Sequence, residues 1–244
     1  MTVEPRSLEG RVVLVTGGGS GLGRAICVRL AREGAVPVAA DIAGASETAS
    51  LTGGPAITLD VTDPDAVRGR MEELFDRYGD AFDGLVNDAG TDQGAGLLDI
   101  TDEQWAQVIA VNQSGPLYTS REFLRQAVKR ASDAAPADIV NIISISAITV
   151  GTDAAAYNSS KAALAKLTEV MQREAGEYRW PVRVHGIMPS AMNTPMMEQW
   201  HLSSEVMMDP DAVARSVTFL LTLPADTFVQ NLVINSRREP DWPR

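Results

Sequence analysis

Arg11-Val-Val-Leu-Val-Thr16-Gly-Gly-Gly-Ser-Gly-Leu-Gly23-Arg24-Ala-Ile-Cys-Val-Arg-Leu-Ala-Arg-Glu33-Gly34 is the stretch that decides the fold. Its first six residues form a short, β-branched apolar run that reads as a buried strand and breaks at once into glycines. Apolar positions 26, 30 and 31 then recur at helical spacing, and Gly34 stands where a C-terminal cap is expected. A turn built from Gly17, Ser20, Gly21, Leu22 and Gly23 lets the backbone approach a pyrophosphate closely. The helix that follows offers unpaired N–H groups and a positive dipole end. Val36-Pro-Val-Ala-Ala-Asp41 reads as a second strand ending in an acid. Asp41 lies eighteen residues beyond Gly23, near the distance at which a carboxylate accepts adenosine ribose hydroxyls in a dinucleotide fold. Asp also favours loop starts, so a plain turn residue is the alternative.

Working outward, residues 43 to 54 are rich in Ala, Gly, Ser and Thr and read as a surface loop. Ala56 to Val61 is a third strand, and Asp63-Pro64 starts a helix that ends near Gly79. Asp83 to Asn87 runs as a fourth strand into the small-residue turn Asp88-Ala89-Gly90. From Thr101 a helical pattern with an N-cap signature extends to about Arg130, interrupted at Asn112, where a polar residue can mark a local kink. Asp138 to Ser144 is a fifth strand, 156 to 178 a helix and 182 to 188 a sixth strand. Pro189 and Pro195 break the pattern, and residues 190 to 208 read as a flap through Met196, Met197, Trp200, Met207 and Met208. Asp209-Pro210 opens a last helix to about Leu223, and 231 to 235 is a seventh strand. Strands alternating with helices predict one α/β domain over 1–244. Its expected form is a Rossmann-like, doubly wound parallel sheet of about seven strands with helices on both faces.

The net charge of −11, with no Lys/Arg block to relieve it, opposes binding to a phosphate backbone, so nucleic acid is not an expected partner. The first ten residues lack an apolar signal core, and no run approaches the ~20 apolar residues of a membrane span. A soluble, cytoplasmic protein is expected. Cys27 is the single cysteine, so no intramolecular disulfide forms. With only His185 and His201 beside it, no zinc cluster is expected and no metal is assigned.

Tyr157-Asn-Ser-Ser-Lys161 carries the chemistry. On a helix, residues four apart share a face, so the Lys161 ammonium is expected near the Tyr157 phenol, where a positive charge favours the phenolate. Ser144, thirteen residues upstream at a strand end, is placed to hold a substrate oxygen, with Ser146 as its neighbour in that role.

Taken in order, the glycine turn at 17–23, Asn87-Asp-Ala-Gly90, Asn112, Ser144 and Tyr157…Lys161 resemble the short-chain dehydrogenase/reductase family over residues 8 to about 235. The resemblance implies that Tyr157 is the general acid/base and that Ser144 polarises the substrate oxygen. It also implies that Lys161 binds the nicotinamide ribose and lowers the phenol's pKa, and that Asn112 anchors a water relay. For the cofactor it implies Asp60 and Val61 at the adenine, Asn87, Ala89 and Gly90 at the ribose, and Pro189 and Thr194 at the carboxamide end. This chain departs from the pattern at Asp88, where a second Asn is usual, at His185, at Ser190, and in Phe228 to Trp242. That last segment looks like the branch of the family acting on 3-hydroxy acids and related small alcohols.

The expected activity is hydride transfer between NAD(H) and a small secondary alcohol or ketone. NAD is expected over NADP because Asp41 opposes a 2′-phosphate and neither Ser20 nor Ile42 can pair with one. A 3-oxoacyl-carrier-protein reductase is the alternative enzyme, although such an enzyme is expected to carry a basic patch. A non-catalytic NAD-binding sensor or scaffold is the alternative of another class, and it has no need of the acid/base set. Assembly into a homodimer or homotetramer is expected.

Overall fold

A computed structural model describes residues 5–238. Seven strands, β1 (Val12–Thr16), β2 (Val36–Asp41), β3 (Ala56–Thr58), β4 (Phe82–Asn87), β5 (Ala137–Ile142), β6 (Val182–Pro189) and β7 (Asn231–Ile234), form one sheet. Their order is β3-β2-β1-β4-β5-β6-β7 and every pairing is parallel. Helices α1 (Gly21–Arg32), α2 (Ser46–Thr52), α3 (Pro64–Tyr78), α4 (Asp102–Ile109), α5 (Gly115–Arg130), α6 (Ala155–Glu177) and α7 (Pro210–Leu221) connect them. Two apolar layers result. One joins β1 to α1 and α7 through Val13, Val15, Ile26, Leu30, Val213 and Val217. The other joins the opposite face to α3 and α5 through Leu14, Leu85, Met71, Phe75, Phe82 and Phe123. The expected doubly wound parallel sheet is the observed one.

Local chemistry sets several helix starts. The Asp63 carboxylate accepts from the N–H groups of Asp65 and Ala66, with Pro64 in the first turn. Thr101 and Gln104 form a reciprocal capping box. Asp209 caps α7 by accepting from the Asp211 N–H.

The expected loop over 43–54 is corrected: Ser46–Thr52 is helix α2, closed by Gly53 at φ 71°. Its Thr48 hydroxyl is buried and donates to Gly18 O at 2.8 Å, a tertiary bond that offsets the weak helix propensity of this Ser/Thr-rich segment. The third strand stops at Thr58, because the Asp60 carboxylate turns back to accept from the Thr62 N–H and hydroxyl. Part of the 190–208 segment, expected as a flap, packs into the domain body. Met208 pairs with Met192 and packs into the core, so it belongs to the domain body. Residues 239–242 of the departing C-terminal segment lie outside the described residues.

At the N-terminal end of the sheet, the fully buried Asp138 accepts from Arg11 at 2.7 Å, Arg183 at 2.7 Å and Arg6 at 2.9 Å. Arg11 and Arg183 also donate to Leu221 O and Leu223 O, tying the end of α7 to the sheet. Burial pushes the Asp138 carboxyl up, yet His185 beside it and the Arg183 and Arg11 guanidiniums hold it well below the usual carboxylate range.

Candidate active site

The strand order reverses between β1 and β4, and outside the C-terminal ends of the strands at that point a cavity of about 660 Å³ opens. Gly17, Ser20, Gly21 and Leu22 form one side of it, Asp41 the end of β2, and Gly90 the turn after β4. Ser144 and Ser146 line it from beyond β5, Tyr157 and Lys161 from α6, and Pro189 and Thr194 from the end of β6.

Six expected site residues are not among those lining it. Gly23 packs beneath the turn, where an added Cβ would stand 2.2 Å from Gly17 O. Asp60 is occupied with Thr62, and Val61 is buried against Gly115. The side chain of Asn87 is drawn into the sheet interior. Its amide nitrogen donates to Ser120 Oγ at 2.9 Å and Asn141 Oδ1 at 2.8 Å, while its Oδ1 accepts from the Thr119 hydroxyl. Ala89 uses its N–H on Thr16 Oγ1.

Asn112 is the sixth, and it sits in a π-helical segment, Ala110–Ser114, between α4 and α5. Its Oδ1 accepts from the Thr91 N–H at 2.8 Å, and its amide nitrogen donates to Thr91 O at 2.8 Å and Ser160 Oγ at 3.0 Å. The amide clamps the loop after β4 onto α6, and both of its N–H groups are spent on protein. Gly17 adopts φ 70°, and an added Cβ there would stand 2.9 Å from the Ala89 backbone, so only glycine lets these two turns touch.

The acid/base candidates lie together. Lys161 is buried, donates to Ile142 O at 2.9 Å, and holds its Nζ 5.6 Å from the Tyr157 ring centroid. Ser144 Oγ accepts from the Ser146 N–H at 3.1 Å. Burial pushes the Tyr157 phenol up to about 12, against the opposing effect of the Ser144 hydroxyl and with Asp92 and Asp88 adding to the rise. Burial is the largest cause of that rise in the protein alone. Burial lowers the Lys161 ammonium to about 8, opposed by Asp88 and Asp92.

Sequence reasoning passed over two carboxylates that line this cavity. Asp88 was noted only as a departure, and Asp92 was not singled out at all. Asp92 Oδ2 accepts from Trp200 Nε1 at 2.9 Å and Asp92 O from Gln199, so the segment around residues 199–200 is tied to the loop after β4. The signal available was the acid two residues past Gly90; its partner is 108 positions away.

The residues present fit a nicotinamide dinucleotide. The N-cap position of α1, Ser20, makes no side-chain capping bond and the first turn carries no acid, which leaves its N–H groups, apart from that of Gly23 facing Asp88, for an anion. Asp41 Oδ2 accepts from the Gly19 N–H and Oδ1 from the Ala43 N–H, so the turn role is real. The carboxylate nonetheless lines the cavity and retains acceptor capacity for ribose hydroxyls.

The profile of the short chain dehydrogenase family matches residues 11–204. This chain belongs to the short chain dehydrogenase family. Among its relatives, the (3R)-3-hydroxyacyl-CoA dehydrogenase of Canis lupus familiaris is 34% identical over 240 residues, covering 88% of this short-chain dehydrogenase and 91% of the relative. The 1-deoxy-11-beta-hydroxypentalenate dehydrogenase of Streptomyces arenae is 37% identical over 202 residues, covering 77% and 69%. In three dimensions the short-chain dehydrogenase superposes on a 3-ketoacyl-(acyl-carrier-protein) reductase from Brucella melitensis complexed with NADH. That match has a TM-score of 0.88 and 25% identity, covering 96% of this chain and all of the other.

Proposed function

We propose that this short-chain dehydrogenase interconverts a secondary alcohol and a ketone with NAD(H). The observation that carries the reading is the convergence of Ser144, Tyr157 and Lys161 on one cavity wall, facing the glycine turn and Asp41. Bound there, the nicotinamide supplies hydride acceptance or donation. Ser144 and Tyr157 hold the substrate oxygen, and the Tyr157 Oη takes the hydroxyl proton in oxidation or delivers it in reduction. Lys161, anchored on Ile142 O, places its charge beside the phenol and within reach of a ribose hydroxyl. Asn112 acts as the clamp that holds the loop at Thr91 against α6. Gly90 and Thr194 shape the nicotinamide end, and Asp41 the adenosine end.

A second reading, reduction of a 3-oxoacyl thioester, is supported by the names of two of the similar proteins above. Against it stand the net charge and the side chains around the opening, where Val150 and Leu202 are apolar and exposed. A panel of neutral ketones, sterically matched 3-oxo acids and acyl thioesters, assayed with NADH and NADPH by nicotinamide absorbance, separates the two. Turnover confined to thioesters replaces the first reading with the second, and no turnover with any of them, despite NADH binding, removes both.

A further inference from the structure

The charged residues lining the cavity are three carboxylates, Asp41, Asp88 and Asp92, and one ammonium, Lys161, among the described residues. Of the three acids, Asp88 overhangs the start of α1. An added Cβ on Gly23 would stand 2.8 Å from Asp88 Oδ2, which places this oxygen over the first turn of α1, with the Gly23 N–H turned toward it. The Asp88 N–H is fixed to Thr16 Oγ1 at 3.1 Å, so the backbone has little freedom to swing the side chain away. A dinucleotide seated on the glycine turn brings its pyrophosphate charge to this same helix end. An ionised Asp88 then opposes it at short range, whereas the Asn usual at this position in the family has no charge to oppose it with.

We propose that Asp88 couples NAD(H) binding to a proton: the dinucleotide binds the form with a neutral Asp88 carboxyl more tightly, so binding draws in a proton and weakens as the carboxyl ionises. The inference rests on the dinucleotide reading of the site given above. The groups facing Asp88 are Cys27 from α1, Asp41 from the end of β2, and Tyr157 and Lys161 from α6, while Asp92 of its own loop lines the same cavity. Burial pushes the Asp88 carboxyl up to about 7, Lys161 and the Gly23 N–H work against the rise, and Asp41 adds to it. Cys27 and Tyr157, each pushed up to about 12, keep their protons throughout the neutral range. Lys161, lowered to about 8, is the other group that titrates there, and the test must separate it from Asp88.

NADH affinity, read from the fluorescence of the reduced nicotinamide at pH 6, 7, 8 and 9 and constant ionic strength, is compared between the wild type and Asp88→Asn. The wild-type Kd is expected to rise about tenfold from pH 6 to pH 8. In Asp88→Asn the rise over that interval shrinks to about threefold or less, the remainder belonging to Lys161, and the variant binds more tightly than the wild type at pH 8. Parallel pH profiles, or a flat wild-type profile, overturn the assignment. Should the variant not fold, calorimetry of NADH binding to the wild type at pH 7.5 in buffers of different ionisation enthalpy decides. Uptake of roughly half a proton or more per NADH supports the coupling, and no uptake overturns it. A wild type that binds neither NADH nor NADPH at any pH overturns the dinucleotide reading itself. Binding without proton linkage overturns only the role of Asp88.

Discussion

Lys161 Nζ stands 5.6 Å from the centre of the Tyr157 ring and is tethered to Ile142 O at 2.9 Å. The ammonium is thus held beside the ring by the end of β5, while burial is the largest cause acting on the phenol and pushes it up to about 12. Tyr157 rests as the protonated acid at neutral pH, the form that reduction requires, while oxidation requires the phenolate.

At saturating cofactor, alcohol oxidation is accordingly expected to speed up as pH rises from 7 to 9, with ketone reduction changing much less over the same span. Tyr157→Phe keeps the packed ring and removes the transferable proton, so turnover is lost while NADH affinity stays close to wild type. Paired rate and fluorescence-binding measurements check both statements, and a variant active within a few-fold of wild type sinks the assignment.

Ser144→Ala removes a hydroxyl from the cavity wall and is expected to cost of order 10²–10³ in rate, as for one donor to a developing oxyanion. Steady-state kinetics on the best ketone substrate is the check. An unaffected rate would transfer the role to Ser146, which also lines the cavity.

Cofactor choice turns on Asp41 and Ile42. Asp41 lines the cavity, and Ile42 beside it is 66% exposed, so a longer cationic side chain can be built there without repacking. Asp41→Ala with Ile42→Arg is expected to shift the kcat/KM ratio toward NADP by tenfold or more, about one charge-assisted contact. A wild type that already prefers NADP, or a double variant that keeps its preference, refutes the role of Asp41.

Asp138→Asn leaves Arg11 and Arg183, with side chains only 9% and 6% exposed, without their shared counter-charge. The expected loss is about 3–5 kcal/mol in urea unfolding at pH 7. The folded value of the Asp138 carboxyl lies below its unfolded value, so its contribution is complete above about pH 4 and fades as acid takes the pH down through the folded value. The gap between wild type and variant therefore narrows below about pH 4.

Assembly is expected through α4, α5 and α6, which leave Trp105, Leu117 and Val170 exposed at 41%, 40% and 44%. We expect a closed dimer or tetramer, with light scattering at micromolar concentration as the measurement. A monomer there refutes it.

Much of this protein is determined locally, and the sequence alone carried that part. Parallel strands buried on both faces show as apolar runs, Asp63-Pro64 and Asp209-Pro210 start helices through their own hydrogen bonds and fixed φ, and Tyr157 and Lys161 share a helix face by spacing. The features decided only by tertiary structure depend on partners far along the chain. Helix α2 forms because Thr48 finds Gly18 O, Asn112 becomes a clamp because Thr91 and Ser160 meet it, and Asp92 latches Trp200 from 108 positions away. Asn87 illustrates the limit: its place in the motif pointed to a cofactor, and its side chain instead satisfies Ser120, Asn141 and Thr119 in the interior. The acidities of Asp88, Lys161 and Tyr157 follow the same rule, because burial is their largest cause and burial is created only when the loops and α6 close over the strand ends.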